Sequence, residues 1–215
     1  GILKVSRQFL QDSTFPAEKF IISKLAERIG DKQNDYFTVG TGSSQPQGIV
    51  AGAASGVALA TGHATAIAAG ADTAAKAADL LSGLNGLVHA VGYRYRTPGK
   101  AGFMMHDTTL KAIKGYTDST GRGLWQPSLA AGQPDTLCGW PVYVNNDMAE
   151  IGASAKVILF GNFSYFYIRS VGTVAVDRLV ERYAEYLLIG FNGYQRVDSK
   201  VMDTNAIKYM ACSAS

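Results

Sequence analysis

The chain has 215 residues, 47% of them hydrophobic and 17% charged. A chain of this length buries roughly 70% of its unfolded surface, so it supports a core without staples, and its aliphatic content excludes a disordered polymer. Twenty basic residues against seventeen acidic ones leave +3, too small an excess to argue for adhesion to nucleic acid or to an anionic membrane.

Two cysteines, Cys138 and Cys212, are too few and too far apart for a zinc site or a disulfide framework, and they read as reduced, half-buried thiols. The chain opens at Gly1 with no basic-then-apolar leader, so no signal peptide is expected. Residues 36–71 carry no Asp, Glu, Lys or Arg. Their large aliphatics are nevertheless too sparse among Ala and Gly for a transmembrane helix.

Thr14 reads as an N-cap, followed by Pro16 and by Glu18 in the first turn. Phe20, Ile21, Lys24, Leu25 and Ile29 then recur at three- and four-residue steps, which predicts a helix from about Phe15 to Tyr36. Such a helix is roughly 30 Å long, and its narrow stripe suits packing on a sheet. Gly30 within it costs about 1 kcal/mol relative to Ala. Val39–Gly48 is dense in turn formers and reads as loop. Between Ala51 and Ala78, fourteen of twenty-eight residues are Ala and four are Gly, which predicts an adaptable loop or short hairpin.

A second helix is expected from Asp72 or Thr73, with Ala77, Leu80, Leu81, Leu84, Leu87, Val88 and Val91 on one face. Gly102–Met105 reads as a buried strand, and Asp107 as the cap of a short helix from Thr108 to about Gly115. Asp118–Gly123 reads as a turn, Trp140–Val144 as a strand, and Lys156–Phe160 and Tyr165–Arg169 as strands joined by Gly161 and Asn162. From Val174 to about Arg196 the chain is β-rich, with both faces largely apolar between Tyr183 and Phe191. A strand apolar on both faces is covered on both; the first helix supplies one expected cover and a neighbouring subunit the other.

No catalytic, cofactor-binding or metal-binding residues emerge. Gly40-Thr41-Gly42 follows a helix and lacks the lysine of a phosphate-binding loop, so a Gly-rich turn is expected. His106 and Asp107 are adjacent but belong to no nucleophile–base set, and His63 and His89 stand alone. The carboxylates are scattered, with no acid/base pair among them. Arg94, Arg96 and Lys100 interleave with Tyr93 and Tyr95, a combination that can meet nucleic acid but more often marks a solvated turn or a subunit contact.

The order of several short motifs is more informative. Val5-Ser-Arg-Gln8 and Asp12 precede the first helix, and Gly40-Thr-Gly42 with Gln45-Pro-Gln-Gly-Ile49 follow it. Then come Met105-His-Asp-Thr108 with Leu110, Asp118, Gly121-Arg122, Gly139-Trp-Pro-Val142 and Asn146-Asp-Met148. Ile158-Leu-Phe-Gly-Asn162, Arg196-Val-Asp198, Asp203 and Ala206 complete the set. In this order the sequence resembles the major capsid protein family of tailed bacteriophages, which has the Hong Kong phage fold.

The resemblance implies an α+β chain in two domains. A peripheral domain, residues 1–46 and 168–215, would lay a long spine helix on long antiparallel strands. An inserted axial α/β domain would span 47–167. It implies a structural, non-enzymatic head protein without cofactors, which assembles with copies of itself into hexameric and pentameric capsomers. These would tile an icosahedral phage or prophage shell in the bacterial cytoplasm, with portal and maturation protease as assembly partners. The shell would enclose double-stranded DNA without sequence-specific binding, and no membrane partner is implied. Only five residues precede Ser6, so an N-terminally truncated member is expected, without the arm and extended loop that clasp neighbouring subunits. Leu187 falls where some members carry a cross-linking Asn, so cross-linking is not expected. An encapsulin-like nanocompartment shell is the alternative, and a small-molecule-binding or hydrolase α/β domain a second.

Overall fold

The computed structural model describes residues 1–12, 14, 16–59, 74–115, 125 and 135–212, with backbone alone for 74–79. Two sheets organise them, one of three strands and one of six.

The three-stranded sheet joins both ends of the chain. Its order is β1 (Ile2–Ser6), β8 (Leu188–Val201), β7 (Phe166–Leu179). β1 lies antiparallel to β8 from Ile2 opposite Asn192 to Ser6 opposite Leu188. β7 and β8 form a long antiparallel hairpin, with an irregularity between Val171 and Ala175. After the short helix α1 (Arg7–Asp12), helix α2 (Ala17–Val39) crosses this sheet. Ile21 and Leu25 are buried against Ile189 and Phe191, with Leu3, Val5, Leu10, Ile29 and Val176 packed around them. The apolar stripe of α2 thus meets the inward residues of β8, and the spine-on-strands arrangement holds.

The ends of α2 differ from expectation. It begins at Ala17, with Pro16 at the cap position and no side-chain cap. Thr14 is therefore not the N-cap. The Pro16 carbonyl accepts from Phe20 N–H at 3.2 Å. The helix also runs three residues past Tyr36, to Val39, where Gly40 leaves the helical path while its N–H still reaches the Tyr36 carbonyl at 2.9 Å. Gly30 does not interrupt it.

Between Tyr183 and Phe191 the chain is not one strand. It turns through a 3₁₀ segment, Ala184–Tyr186, and Leu187 takes the left-handed conformation at φ 55° before β8 begins. The reversal from β7 to β8 must be made here, and that requirement overrides the strand preference of the residues. On the face opposite α2, one residue of the stretch is covered from within the chain. A Cβ on Gly190 would stand 2.8 Å from the Tyr183 ring, which lies across the face opposite α2.

The six-stranded sheet has the order β2 (Ala54–Leu59), β9 (Ile207–Cys212), β6 (Lys156–Asn162), β3 (Ala101–Met105), β5 (Trp140–Val144), β4 (Thr136–Leu137). β2 with β9 and β3 with β5 are parallel; the other pairs are antiparallel. In β6 every residue after Lys156 is buried, as a central strand covered on both faces requires. Phe103, Met105, Phe160, Ile207 and Met210 fill the core, and helix α4 (Ala74–Ala90) seals one side with Leu80, Leu84, Leu87 and Val88.

The Ala/Gly-rich stretch contributes more than a loop. Ile49–Gly52 is a helical turn (α3), and Ala54–Leu59 is an edge strand with Leu59 buried. The small residues are what permit it: a Cβ on Gly56 would stand 2.6 Å from Leu87 of α4. Residues 60–73, His63 among them, and the expected turn at Asp118–Gly123 lie outside the described residues. β9 sits in the six-stranded sheet, so the chain after β8 crosses back and does not continue the long hairpin. The expected peripheral segment 168–215 is therefore divided at this point between the two sheets.

Candidate assembly surface

The residues of the ordered motifs stitch the two sheets together. Gln47, in the loop after α2, reaches β8 three times. Its N–H donates to the Ser199 carbonyl at 3.1 Å, its carbonyl accepts from Ser199 Oγ at 2.9 Å, and its Oε1 accepts from Val201 N–H at 3.3 Å. A Cβ on Gly52 would stand 2.5 Å from Val201 Cγ2, so α3 rests directly on β8. The Gly40-Thr41-Gly42 turn is closed by an isolated Thr41–Gln47 bridge and by Gly48 N–H donating to the Gly40 carbonyl at 2.8 Å. Gly42, at φ 79°, supplies the left-handed residue. The turn's backbone groups are spent on internal bonds, as a structural turn requires.

A second stitch holds the C-terminal turn of α2. Thr38, 1% exposed, donates through Oγ1 to the Asn34 carbonyl at 2.7 Å and accepts from Asn145 Nδ2 at 2.8 Å. Asn34 Nδ2 donates to Asp147 Oδ2 at 2.6 Å and Asn145 Oδ1 at 3.1 Å. The spine helix is thereby bonded to the loop following β5. Periodicity could not reveal this polar junction; the Asn146-Asp147-Met148 motif was its only trace in the sequence.

His106 ends β3 and is itself the N-cap of α5 (Asp107–Lys114). Its Nδ1 accepts from Thr108 N–H at 3.0 Å. Asp107 is the first helical residue instead of the cap, and its charge suits the positive end of the helix dipole. His106 Nε2 lies 3.8 Å from Glu150. His89 sits near the end of α4 with Nδ1 3.4 Å from Arg96.

The Tyr93–Lys100 segment resolves into local pairs. Tyr95 is buried, and its hydroxyl donates to Asp203, while Arg94 contacts the same hydroxyl and lies 3.7 Å from the carboxylate. The Tyr95 hydroxyl bond holds the Asp203 carboxyl below its ordinary range, and the same bond pushes the Tyr95 hydroxyl up. Arg96 stacks over Tyr93, which is 85% exposed. Lys100 lies apart in a turn. These cations do not form a continuous nucleic-acid track.

Both cysteines are free, Cys138 exposed and Cys212 buried, and burial pushes both thiols up. Cys138 is thus more open than expected, placed at φ 49° in the turn between β4 and β5. Among the described residues no group of three or more His, Cys, Asp or Glu is placed to hold a metal, and no helix is long and apolar enough to cross a membrane.

What the surface does offer is apolar. Phe20, Tyr167, Ile168, Tyr186, Leu187, Tyr194 and Met202 are all exposed. A spine helix on a sheet built from both chain ends, bonded to a second sheet, is the frame that carries these side chains.

The sequence matches the model of the phage capsid family over residues 1–212, and the chain belongs to that family. Its fold is similar to the capsid of an empty GTA particle computed with C5 symmetry, at 29% identity and a TM-score of 0.77, covering 100% of this chain and 72% of that one. It is similar to a Gordonia phage Cozz structure at 13% identity and a TM-score of 0.66, covering 100% and 69%. The holo-SrpI encapsulin complex from Synechococcus elongatus PCC 7942 follows at 14% and 0.65, covering 98% and 71%. No curated protein is significantly similar in sequence. The protein is a structural capsid protein, and the capsid is its place.

Proposed function

We propose that this chain is the major head subunit of an icosahedral phage or prophage shell, built from hexamers and pentamers of one protein and filled with double-stranded DNA. The observation that carries the reading is the match to the phage capsid family across residues 1–212, on a chain whose spine helix lies over strands from both its ends. Such a subunit works without catalysis or cofactor: modest contacts, repeated over many copies, hold the shell. The division into a peripheral unit around α2, β7 and β8 and an axial unit around the six-stranded sheet belongs to this reading. So do a portal and a maturation protease as assembly partners, and assembly in the host cytoplasm. The similarity to an encapsulin, at 14% identity, is a likeness of fold and does not favour an enzyme cargo.

The test is electron microscopy of the full-length product expressed with its protease, followed by nuclease treatment and assay of protected DNA. Closed particles tens of nanometres across that protect duplex DNA are expected. Dispersed subunits under every condition, or particles holding a protein cargo in place of DNA, would overturn the reading.

A further inference from the structure

β7 is an edge of the three-stranded sheet, paired with β8 alone, and it carries more residues than that pairing uses. Val171 stands opposite Arg196 and Ala175 opposite Tyr194, so Gly172, Thr173 and Val174 together face one residue, Gln195. The bulge therefore holds two residues in excess. That number matters, because side chains alternate along a strand with a period of two. A single extra residue that moved along β7 would turn over every side chain it passed. A pair of them can pass and leave each side chain on its own face.

Three features hold the excess where it is. Gly172 has φ 74°, with nothing within 4 Å of a Cβ built there, so the backbone favours glycine for its conformation and not for want of room. Gln195 reaches across from β8: its Nε2 donates to Ser170 Oγ at 2.9 Å, and Ser170 Oγ donates in turn to the Gly172 carbonyl at 3.3 Å. Gln195 is itself held by the spine helix, since Gln33 of α2 donates through Nε2 to its Oε1. One glutamine thus joins α2 to the bulge.

The neighbouring positions are unequal. Moved one pair toward Phe166, the bulge would comprise Ser170, Val171 and Gly172 opposite Val197, and Thr173 would take the place of Val171 opposite Arg196. The left-handed site would pass to Ser170, which suits it less well than glycine but has no branched Cβ. Moved one pair toward Leu179, the bulge would give that site to Val174, a β-branched residue. It would also unseat Val176, which packs with Ile21 and Leu25 beneath α2.

We propose that the excess pair is a movable register step in β7, held at Gly172–Val174 by the spine helix through Gln33 and Gln195, and shifting one pair toward Phe166 when that hold is released. A bulge bends and twists its strand, so the step displaces the bend by two residues, about 7 Å along β7. The spine helix and the free edge of the sheet are in this way two ends of one conformational device. The device belongs to the single subunit, and its failure would leave the shell reading untouched.

Amide hydrogen exchange, resolved by residue with NMR, tells the two positions apart. Met202 N–H donates to the Tyr165 carbonyl, so by antiparallel alternation the Tyr167, Arg169 and Val171 amides face β8 as well. In the held position Val171 is protected and Thr173, inside the bulge, is open; in the shifted position the two are reversed. The experiment compares wild type with Q33A, Q195A and S170G/G172S, the last of which transfers the glycine to the alternative site. Circular dichroism confirms folding. Wild type is expected to show the held pattern. In S170G/G172S Val171 should exchange about tenfold faster and Thr173 about tenfold slower than in wild type. Q195A should move both amides in the same opposite senses, and Q33A should do so by about threefold, since it removes only the link to the helix. Protection of Thr173 in wild type, or an unchanged pattern in S170G/G172S, would overturn the step. So would acceleration of both amides together, which means that the strand frays and does not shift. A Q33A pattern equal to wild type would remove the spine helix from the device and overturn it likewise. Q33A and Q195A keep both glycine and serine in place, so they decide the matter even if the exchanged pair fails to fold.

Discussion

Leu25 of α2 lies directly over Gly193 of β8: a Cβ on the glycine would stand 2.8 Å from Leu25 Cδ2 and 3.0 Å from Ile29 Cδ1. The absence of a side chain at Gly193 sets how closely the spine approaches the strands. Gly193→Val forces helix and sheet apart, and overpacking of this kind costs about 2 kcal/mol. Urea unfolding should show the midpoint falling with an unchanged slope. Gly193→Val with Leu25→Ala should recover part of the loss, because the second change vacates the space the first one fills.

Thr38 holds the far end of the same helix. Thr38→Val keeps the shape but removes the hydroxyl that serves both Asn34 and Asn145. It leaves the half-buried Asn145 amide short of a partner, at a cost of about 1 kcal/mol. A double-mutant cycle with Asn145→Ala should show coupling between the sites. Strict additivity would place the stabilisation elsewhere.

His106→Ala should cost about 1 kcal/mol, the usual value of a lost N-cap. His106→Asp should restore most of it, since a carboxylate accepts from Thr108 N–H and sits favourably at the helix N-terminus. Thermal unfolding separates the two variants. Equal losses in both would mean that His106 acts through packing and not through its Nδ1.

Tyr95→Phe gives a pH signature. Asp203 has its folded pKa below the ordinary 3.8, chiefly through the Tyr95 hydroxyl. Its contribution is therefore complete above that value and disappears as pH falls through the folded pKa. Tyr95 has its folded pKa above the ordinary 10.0, chiefly through Asp203, so its contribution is complete below that value and is lost as pH rises through the folded one. The stability gap between wild type and variant should form a plateau between these limits and narrow at both ends. Chemical denaturation at a series of pH values measures it. A gap that stays constant into acid would detach Asp203 from the bond.

The fold was legible where one apolar period dominated. Ile21, Leu25 and Ile29 announced α2, and Leu80, Leu84, Leu87 and Val88 announced α4, because each stripe meets a buried sheet face. Legibility failed at Ala54–Leu59, where Ala and Gly give little periodicity and the strand exists because its small residues fit beneath Leu87. It also failed at Tyr183–Leu187, where β-forming residues serve a reversal imposed by the hairpin. The polar junctions of Gln47 with Ser199 and Thr38 with Asn145 have no periodic signature, since each joins residues more than a hundred positions apart. They could be suspected only through the ordered motifs around them.

β8 has a mechanical consequence. It is a single strand of fourteen residues, roughly 45 Å from end to end. Its Ile189 end is clamped beneath α2, and its Val201 end is fastened to Gln47. A beam held in this way behaves as a lever: turning its clamped end by about 5° carries the other end about 4 Å, on that length. A small rotation about the clamped end is thus magnified where the chain enters the second sheet.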